Sequence, residues 1–292
     1  MTAKNKTIYI AAALFCTYFI WGSTYLAQRF AIESFPPFLM AGARAVLAGA
    51  LLYSLLLFRG YSHPKSREWI GAGIVGLLLV TIGSGTVSYV QQTVSSSLAA
   101  LAIATVPIWM AIFSSFWGHH PTKREWLGIA IGFVGIMLLN LGGSLHGHTS
   151  SALLLMFAAA GWSLGSIWGK HLAMPKGLMG AACQMLLGGI VLLGFSYAQG
   201  ETWPSQISQK SWLAVVFLVI FGSMIAYSAY QYLLKTVRPL VASSNTFVNP
   251  IVAFAVGIWF ANEQVTTLEY AALAVILVGV FLVLTAENKE II

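Results

Sequence analysis

Five stretches of the sequence carry polar and aromatic side chains at positions that share one face of a helix. Trp21, Tyr25 and Gln28 fall at i, i+4 and i+7, and Ser84, Ser88 and Gln91 repeat that spacing. Ser223, Tyr227 and Gln231 do so again, Trp162 and Ser166 give a shorter version, and Ser243, Ser244, Asn245, Thr246 and Asn249 crowd a fifth stretch. Indole, phenol, hydroxyl and amide groups arranged in this way can stack on and hydrogen-bond a small solute. None of them is a nucleophile set beside a base, so the chemistry on offer is binding and not covalent catalysis. One cation stands apart, Arg44, inside the apolar run MAGARAVLAGALL.

The elements that must hold these residues follow from composition. Of 292 residues, 58% are hydrophobic and only 8% charged, against about 25% charged in an ordinary soluble domain. A soluble enzyme of ordinary type is thereby excluded. Apolar stretches recur at 8–28, 36–58, 68–90, 96–117, 124–141, 150–170, 177–198, 211–233, 239–261 and 267–286. Each is close to the roughly 20 residues that a helix needs to cross about 30 Å of hydrocarbon. The expected fold is an all-α integral membrane protein of ten transmembrane helices. Lys4 and Lys6 precede a first apolar run too long for a signal peptide, which reads as an uncleaved span. Cys16 and Cys183 fall inside spans, as small buried hydrophobes with no disulfide framework.

Lys and Arg in alternate loops split twelve to two, with Arg29 and Lys210 forming the minority. Cytoplasmic loops carry the positive excess, so both termini are expected in the cytoplasm. The net charge of +7 is then explained by loops lying on an anionic leaflet, and nucleic acid is not an expected partner. The partners expected are the lipid bilayer and a small-molecule substrate, and nothing in the sequence requires more than a monomer.

The two halves resemble each other in order. PPFLMAGARAVLAGALL from Pro36 is echoed by PKGLMGAACQMLLGGIVLL from Pro175, and ATVPIWMAIFSSFW from Ala104 by TFVNPIVAFAVGIWF from Thr246. KREWLGIAIGFVGIMLL from Lys123 matches TLEYAALAVILVGVFLVL from Thr267. Two five-helix repeats, residues 1–146 and 147–292, are therefore expected. Five is odd, so the second enters the membrane from the opposite face, giving the inverted repeat of many carriers. Pro107 and Pro250 occupy matching places and are expected to kink their helices, freeing carbonyls near Ile103 and Thr246. Gly128 and Gly132 form a GxxxG pair that internal packing explains as well as dimerisation does.

At this point the chain resembles a known family, the EamA-type branch of the drug/metabolite transporter superfamily. The first half carries the resemblance in FIWGSTYLAQRFAIESFPPFLMAGARAVLAG, VSSSLAALAIATVPIW and KREWLGIAIGFVGIMLLNLGG. The second carries it in GWSLGSIWGK, FGSMIAYSAYQYLLKTVRPLVASSNTFVNPIVA and NEQVTTLEYAALAVILVGVFLVL. The resemblance implies an inner-membrane carrier, usually an exporter, with a central cavity lined by spans 1, 3, 4, 6, 8 and 9. One departure is FWGHHPTKRE at the end of span 4, where the family often has an acidic residue before the turn, as Glu263 stands in the second half, and this sequence has none before it.

A polar side chain in hydrocarbon is costly unless it faces protein or a watery cavity. The candidate cavity residues are therefore Trp21, Tyr25, Gln28, Ser84, Ser88, Gln91, Trp162, Ser166, Tyr227, Gln231, Asn245 and Asn249. For single Ser residues, ordinary helix packing is the competing explanation. Spans 5 and 10, almost without polar residues, should be peripheral. Arg44 lies about 12 Å below the entrance to span 2, where no predicted span offers a deep Asp or Glu. It is either a structural clamp on backbone carbonyls or a contact for an anion; since the resemblance places span 2 outside the cavity, the clamp is favoured.

Missing carboxylates weigh against a cation antiporter and toward small neutral or zwitterionic metabolites, such as amino acids and aromatic compounds, or amphipathic drugs. An importer or exchanger of sugar- or nucleotide-like solutes is the alternative. An intramembrane enzyme would need a catalytic constellation that is absent. No GxxxxGK[ST] loop is present, so the chain has no ATPase of its own, and no cofactor is expected. His119 with His120 and His146 with His148 lie in loops without Cys or acidic neighbours, so no metal site is expected.

Overall fold

The computed structural model describes residues 3–118, 122–141, 149–237 and 239–285, and all regular structure among them is helical. The four paired histidines lie outside the described residues. The helices are α1 (Asn5–Ile32), α2 (Pro37–Phe58), α3 (Ser66–Val90), α4 (Ser96–Trp117), α5 (Lys123–Leu141), α6 (Ser150–Trp168), α7 (Leu178–Ala198), α8 (Gln209–Thr236), α9 (Asn245–Ala261) and α10 (Thr267–Leu284). Among the described residues, seven of these are long and apolar enough to cross a membrane, namely α1–α4 and α6–α8. The apolar stretches of α9 and α10 are shorter, Val248–Ala261 and Thr267–Gly279.

Local chemistry sets where the helices begin. Pro37 opens α2 where a missing N–H costs nothing. Ser95 and Ser208 accept hydrogen bonds from the backbone of Leu98 and Ser211, both 3.1 Å, at the starts of α4 and α8. Capping boxes open α5 and α10. Glu125 and Glu269 each accept from the backbone N–H of the threonine three residues earlier, Thr122 and Thr266. The threonine hydroxyls accept in return from the glutamate N–H groups at 3.2 Å. These two acids are buried because they are caps.

Several helices are not regular throughout. Wide π-turns occupy Cys16–Ile20 in α1, Leu77–Gly85 in α3 and Leu218–Tyr227 in α8. The helix α4 breaks at Ala104 and Thr105, immediately before Pro107. The prolines differ in effect, because Pro250 stands inside α9 and the interruption on that side falls earlier, at Ser243 and Ser244, after the single turn Pro239–Ala242.

Two outer pairs hold the bundle. α2 runs along α7 and α5 along α10, and glycines let their backbones approach. A Cβ added at Gly49 would lie 2.8 Å from the Leu186 nitrogen, and one at Gly189 the same distance from the Val46 nitrogen. On α10, a Cβ at Gly279 would come within 2.7 Å of both the Gly128 oxygen and the Gly132 nitrogen. The GxxxG pair is therefore filled from within the chain. Large side chains on the other faces of these two helices, Met137 and Phe281 among them, are exposed at the bundle surface. Between the outer pairs, α1, α3, α4, α6, α8 and α9 make the interior, with α3 on α6, α4 on α6 and α9, and α1 on α8 and α9.

Side-chain contacts group the loops into two ends. At one, Lys210 pairs with Glu33 at 2.5 Å, and Glu201 accepts from the backbone of Phe38 and Leu39 at 3.2 and 2.7 Å. At the other, Trp117 stacks on His171 with centroids 5.1 Å apart, and Lys235 reaches the Pro175 carbonyl at 3.3 Å. The substitution Gly279→Ile should overpack the α5–α10 seam and cost about 1–3 kcal/mol, read as a lower unfolding temperature of the purified protein in detergent. Gly194→Ala, whose added carbon meets nothing within 4 Å, should leave that temperature unchanged. Equal temperatures for both variants would show that the seam tolerates separation.

Candidate functional site

The interior helices enclose a cavity of about 120 Å³. Trp21, Tyr25 and Gln28 of α1 line it, as do Ser84 of α3, Trp162 of α6, Tyr227 of α8, and Asn245 and Asn249 of α9. Arg44 and Ala45 of α2 also reach it, which brings span 2 into the wall. Ile103 and Thr246, where the prolines were expected to free carbonyls, are lining residues too.

Four other candidates do different work. Gln91 donates to the Tyr25 carbonyl at 3.0 Å, tying α3 to α1, and Ser88 donates to the Ser84 carbonyl within its own helix. Ser166 bonds the Tyr230 hydroxyl at 2.8 Å, and Gln231 accepts from Gln184 at 3.5 Å. Ser166 and Gln231 line a second cavity, of about 520 Å³, with Lys170, Lys176 and Lys235 at its rim.

The irregular helices explain how the cavity wall is made. A π-turn widens the backbone and exposes carbonyls. Asn249, with its amide nitrogen turned toward the α1 π-turn, reaches the Thr17 and Tyr18 carbonyls at 3.0 Å. Trp21 donates its indole N–H to the Gly222 carbonyl in the α8 π-turn at 3.0 Å. Gly83, in the α3 π-turn, leaves room for Trp162, whose ring would lie 2.8 Å from an added Cβ. Each interruption thus has a side chain or the cavity against it.

Aromatic rings close one side of the cavity. Trp21 meets Trp162 edge to face at 5.4 Å, and Tyr230 lies 5.1 Å from Trp21 and 5.5 Å from Trp162. Tyr227 stands edge-on to Trp162 at 6.1 Å and donates its hydroxyl to Gln184 at 2.7 Å. Tyr227 lines the central cavity while its partner Gln184 lines the second, so this layer stands between the two. Tyr230 and Gln184 were not among the expected residues. Tyr230 lies three residues beyond Tyr227 on the same helix face, and Gln184 is an amide deep in an apolar span; both signals are in the sequence, but the second falls on a span taken to lie outside.

Glu263, between α9 and α10, occupies a different place at the Lys210 end of the bundle. Its carboxylate accepts from the backbone N–H groups of Ser96 and Ser97 at 3.0 and 3.2 Å, and from their hydroxyls at 2.7 and 2.6 Å. Those residues form the first turn of α4, where the helix dipole favours an anion. Arg29 of α1 stands 3.5 Å from the same carboxylate. Burial by itself would raise the acid's pKa, but the hydroxyl and backbone donors of Ser97 and Ser96 outweigh it and hold the group below its ordinary carboxylate value.

A lowered native pKa means that Glu263 stabilises the fold above the unfolded-state value and that this is lost as the pH falls through the native one. Glu263→Gln should therefore cost about 1.5–3 kcal/mol at pH 7 and show less loss of stability than wild type on acidification below about pH 4. Thermal unfolding across pH 3–7 reads both effects; parallel curves for the two proteins would remove the α4 cap as a source of stability.

The EamA-like transporter family model matches residues 8–141 and, a second time, residues 149–285. The chain is 43% identical over 272 residues to the uncharacterized inner membrane transporter YedA of Escherichia coli K12, covering 93% of this chain and 89% of that one. It is 25% identical over 292 residues to a WAT1-related chloroplastic protein of Arabidopsis thaliana, covering 95% and 70% respectively. A solved crystal structure superposes with a TM-score of 0.68 over 97% of this chain and 98% of the other at 20% identity, a likeness of fold. With nearly its whole length matched, the chain belongs to the EamA-like transporter family and is a membrane transporter.

Proposed function

We propose that the chain is a secondary-active or facilitative carrier that exports small neutral or zwitterionic metabolites, such as amino acids and aromatic compounds, or amphipathic drugs, across a bacterial inner membrane by alternating access. The observation that carries this reading is the cavity at the centre of the bundle, walled by indole, phenol and amide groups on helices whose backbones are interrupted beside it. Broken helices at mid-bundle are where carriers place their sites.

Ten spans in two inverted repeats fit the same reading. Its support is the double match of one family model, together with π-turns on α3 and α8 and capping boxes on α5 and α10, the third and fifth helices of each half. Cytoplasmic termini are supported by the twelve-to-two division of basic residues, and the inner membrane by the name of the bacterial relative. On this reading the Lys-rimmed cavity faces the cytoplasm and the aromatic layer is the barrier that must open.

Counterflow in proteoliposomes, loaded with unlabelled amino acids, aromatic metabolites, sugars and cationic dyes, tests the proposal. Saturable exchange of a neutral or zwitterionic solute is expected, falling at least tenfold in Trp162→Ala and retained in Trp162→Phe. Unsaturable flux would make the protein a channel, and exchange restricted to cations would overturn the substrate class.

A further inference from the structure

The one charged group among the described residues of the central cavity has no counter-ion among them. Arg44 reaches the wall from α2, and no Asp or Glu is among the lining residues. Its Nη2 donates to the Ser84 hydroxyl across the α2–α3 contact. Its Nε is enclosed without a partner, and Nη1 finds none among the described residues. The backbone carbonyls that a purely structural clamp would use are not among its partners. A guanidinium has five N–H donors and remains protonated in proteins. Held inside a membrane protein by one neutral hydroxyl, it bears a desolvation cost that an anion would offset.

The surroundings say what kind of anion fits. The Tyr25 phenol and the Gln28 amide line the same cavity, and neither side chain has a hydrogen-bond partner among the described residues. They can complete the hydration shell of a small oxyanion. Trp21 and Trp162 offer ring faces and edges to an apolar body. A space of about 120 Å³ suits a compact solute and not a large multiply charged one. On the other side of the aromatic layer, the second cavity carries three lysines and no acidic residue among its lining groups, so positive charge precedes and follows the barrier.

Resting on the carrier reading above, narrowing it to the solutes that bear a carboxylate and extending it from zwitterions to monoanions, we infer that Arg44 is the binding group for the carboxylate of the solute, so that the transported molecule is a small carboxylate with an apolar or aromatic body. Planar guanidinium and planar carboxylate meet through two parallel hydrogen bonds, and Nη1 with Nη2 supplies such a pair. Solutes lacking the carboxylate leave the arginine unpaired and are disfavoured for that reason. Ser84 positions the guanidinium.

The test uses three probes of similar size and different charge, phenylacetate, its isostere phenylacetamide, and phenethylamine. Unfolding temperature of the purified full-length protein in detergent is measured against each, for wild type and for Arg44→Gln, Arg44→Lys and Ser84→Ala. Phenylacetate should stabilise wild type saturably, with the amide and the amine at least tenfold weaker. Arg44→Gln should weaken phenylacetate at least tenfold and abolish its advantage over the amide; Arg44→Lys should keep the preference at reduced affinity, and Ser84→Ala, which removes the hydroxyl that positions the guanidinium, should keep the preference with binding a few-fold weaker. The inference is overturned if phenylacetate gives no saturable shift, if the amide matches it in wild type, or if Arg44→Gln binds it as wild type does. Should Arg44→Gln fail to fold, the acid-to-amide ratio in wild type and Ser84→Ala decides. Counterflow of the same probes separates the two readings: selective binding without exchange would sink the carrier and keep the Arg44 site, whereas exchange of acid and amide alike would keep the carrier and sink the site.

Discussion

Hydrocarbon cannot hydrogen-bond a peptide group, and this single constraint governs what the chain does with every N–H and C=O inside the membrane. Regular helix answers it along most of the sequence. Where the helix is irregular, the backbone groups released must meet something, and in this protein they meet the interior. The π-turns of α1, α3 and α8 all border the central cavity or the residues that frame it. Asn249 is turned toward carbonyls of the first and Trp21 toward one of the third. Irregular backbone, polar side chains and open space are thus one feature viewed three ways.

Keeping such a weakened interior together falls to the periphery. Between apolar surfaces in lipid there is no hydrophobic driving force, so association depends on close van der Waals contact. The α2–α7 and α5–α10 pairs obtain it by placing glycines where backbones meet. Rigid pairs on the outside leave the six inner helices free to carry bulky aromatics and amides. Gly83 shows the same device turned to another purpose, since its missing side chain is the room that Trp162 occupies.

Charge is distributed with equal economy. Almost all ionic groups sit at the two ends, where Glu263 caps α4 and meets Arg29, and Lys210 meets Glu33. A carboxylate that accepts four hydrogen bonds at a helix start is held ionised, which makes Glu263 a fastening and a poor proton carrier. Arg44 is the exception to the pattern. Its depth would be a liability in a helix with only a structural duty, and its place on the cavity wall gives that charge an object.

By itself, the sequence determined the class of the protein, because a 58% hydrophobic chain with charges confined to short intervals has few other ways to exist. It also determined most helix positions and the peripheral place of spans 5 and 10, since these depend on one-dimensional polarity. Much of the cavity wall was legible for the same reason: Trp21, Tyr25, Gln28, Trp162 and Tyr227 share helix faces that spacing alone identifies. Tertiary structure decided which polar residues face open space and which face a neighbour. Spacing could not tell Ser84 from Ser88 or Gln28 from Gln91, because the difference lies in whether the side chain is taken up by a carbonyl, of its own helix for Ser88 and of α1 for Gln91. It could not unequally assign the two prolines, one beside a break and one within a helix. Nor could it place Arg44, since a helix's rotation about its own axis is set by the neighbours it packs against, and the close glycine contact of α2 with α7 is what turns that arginine inward.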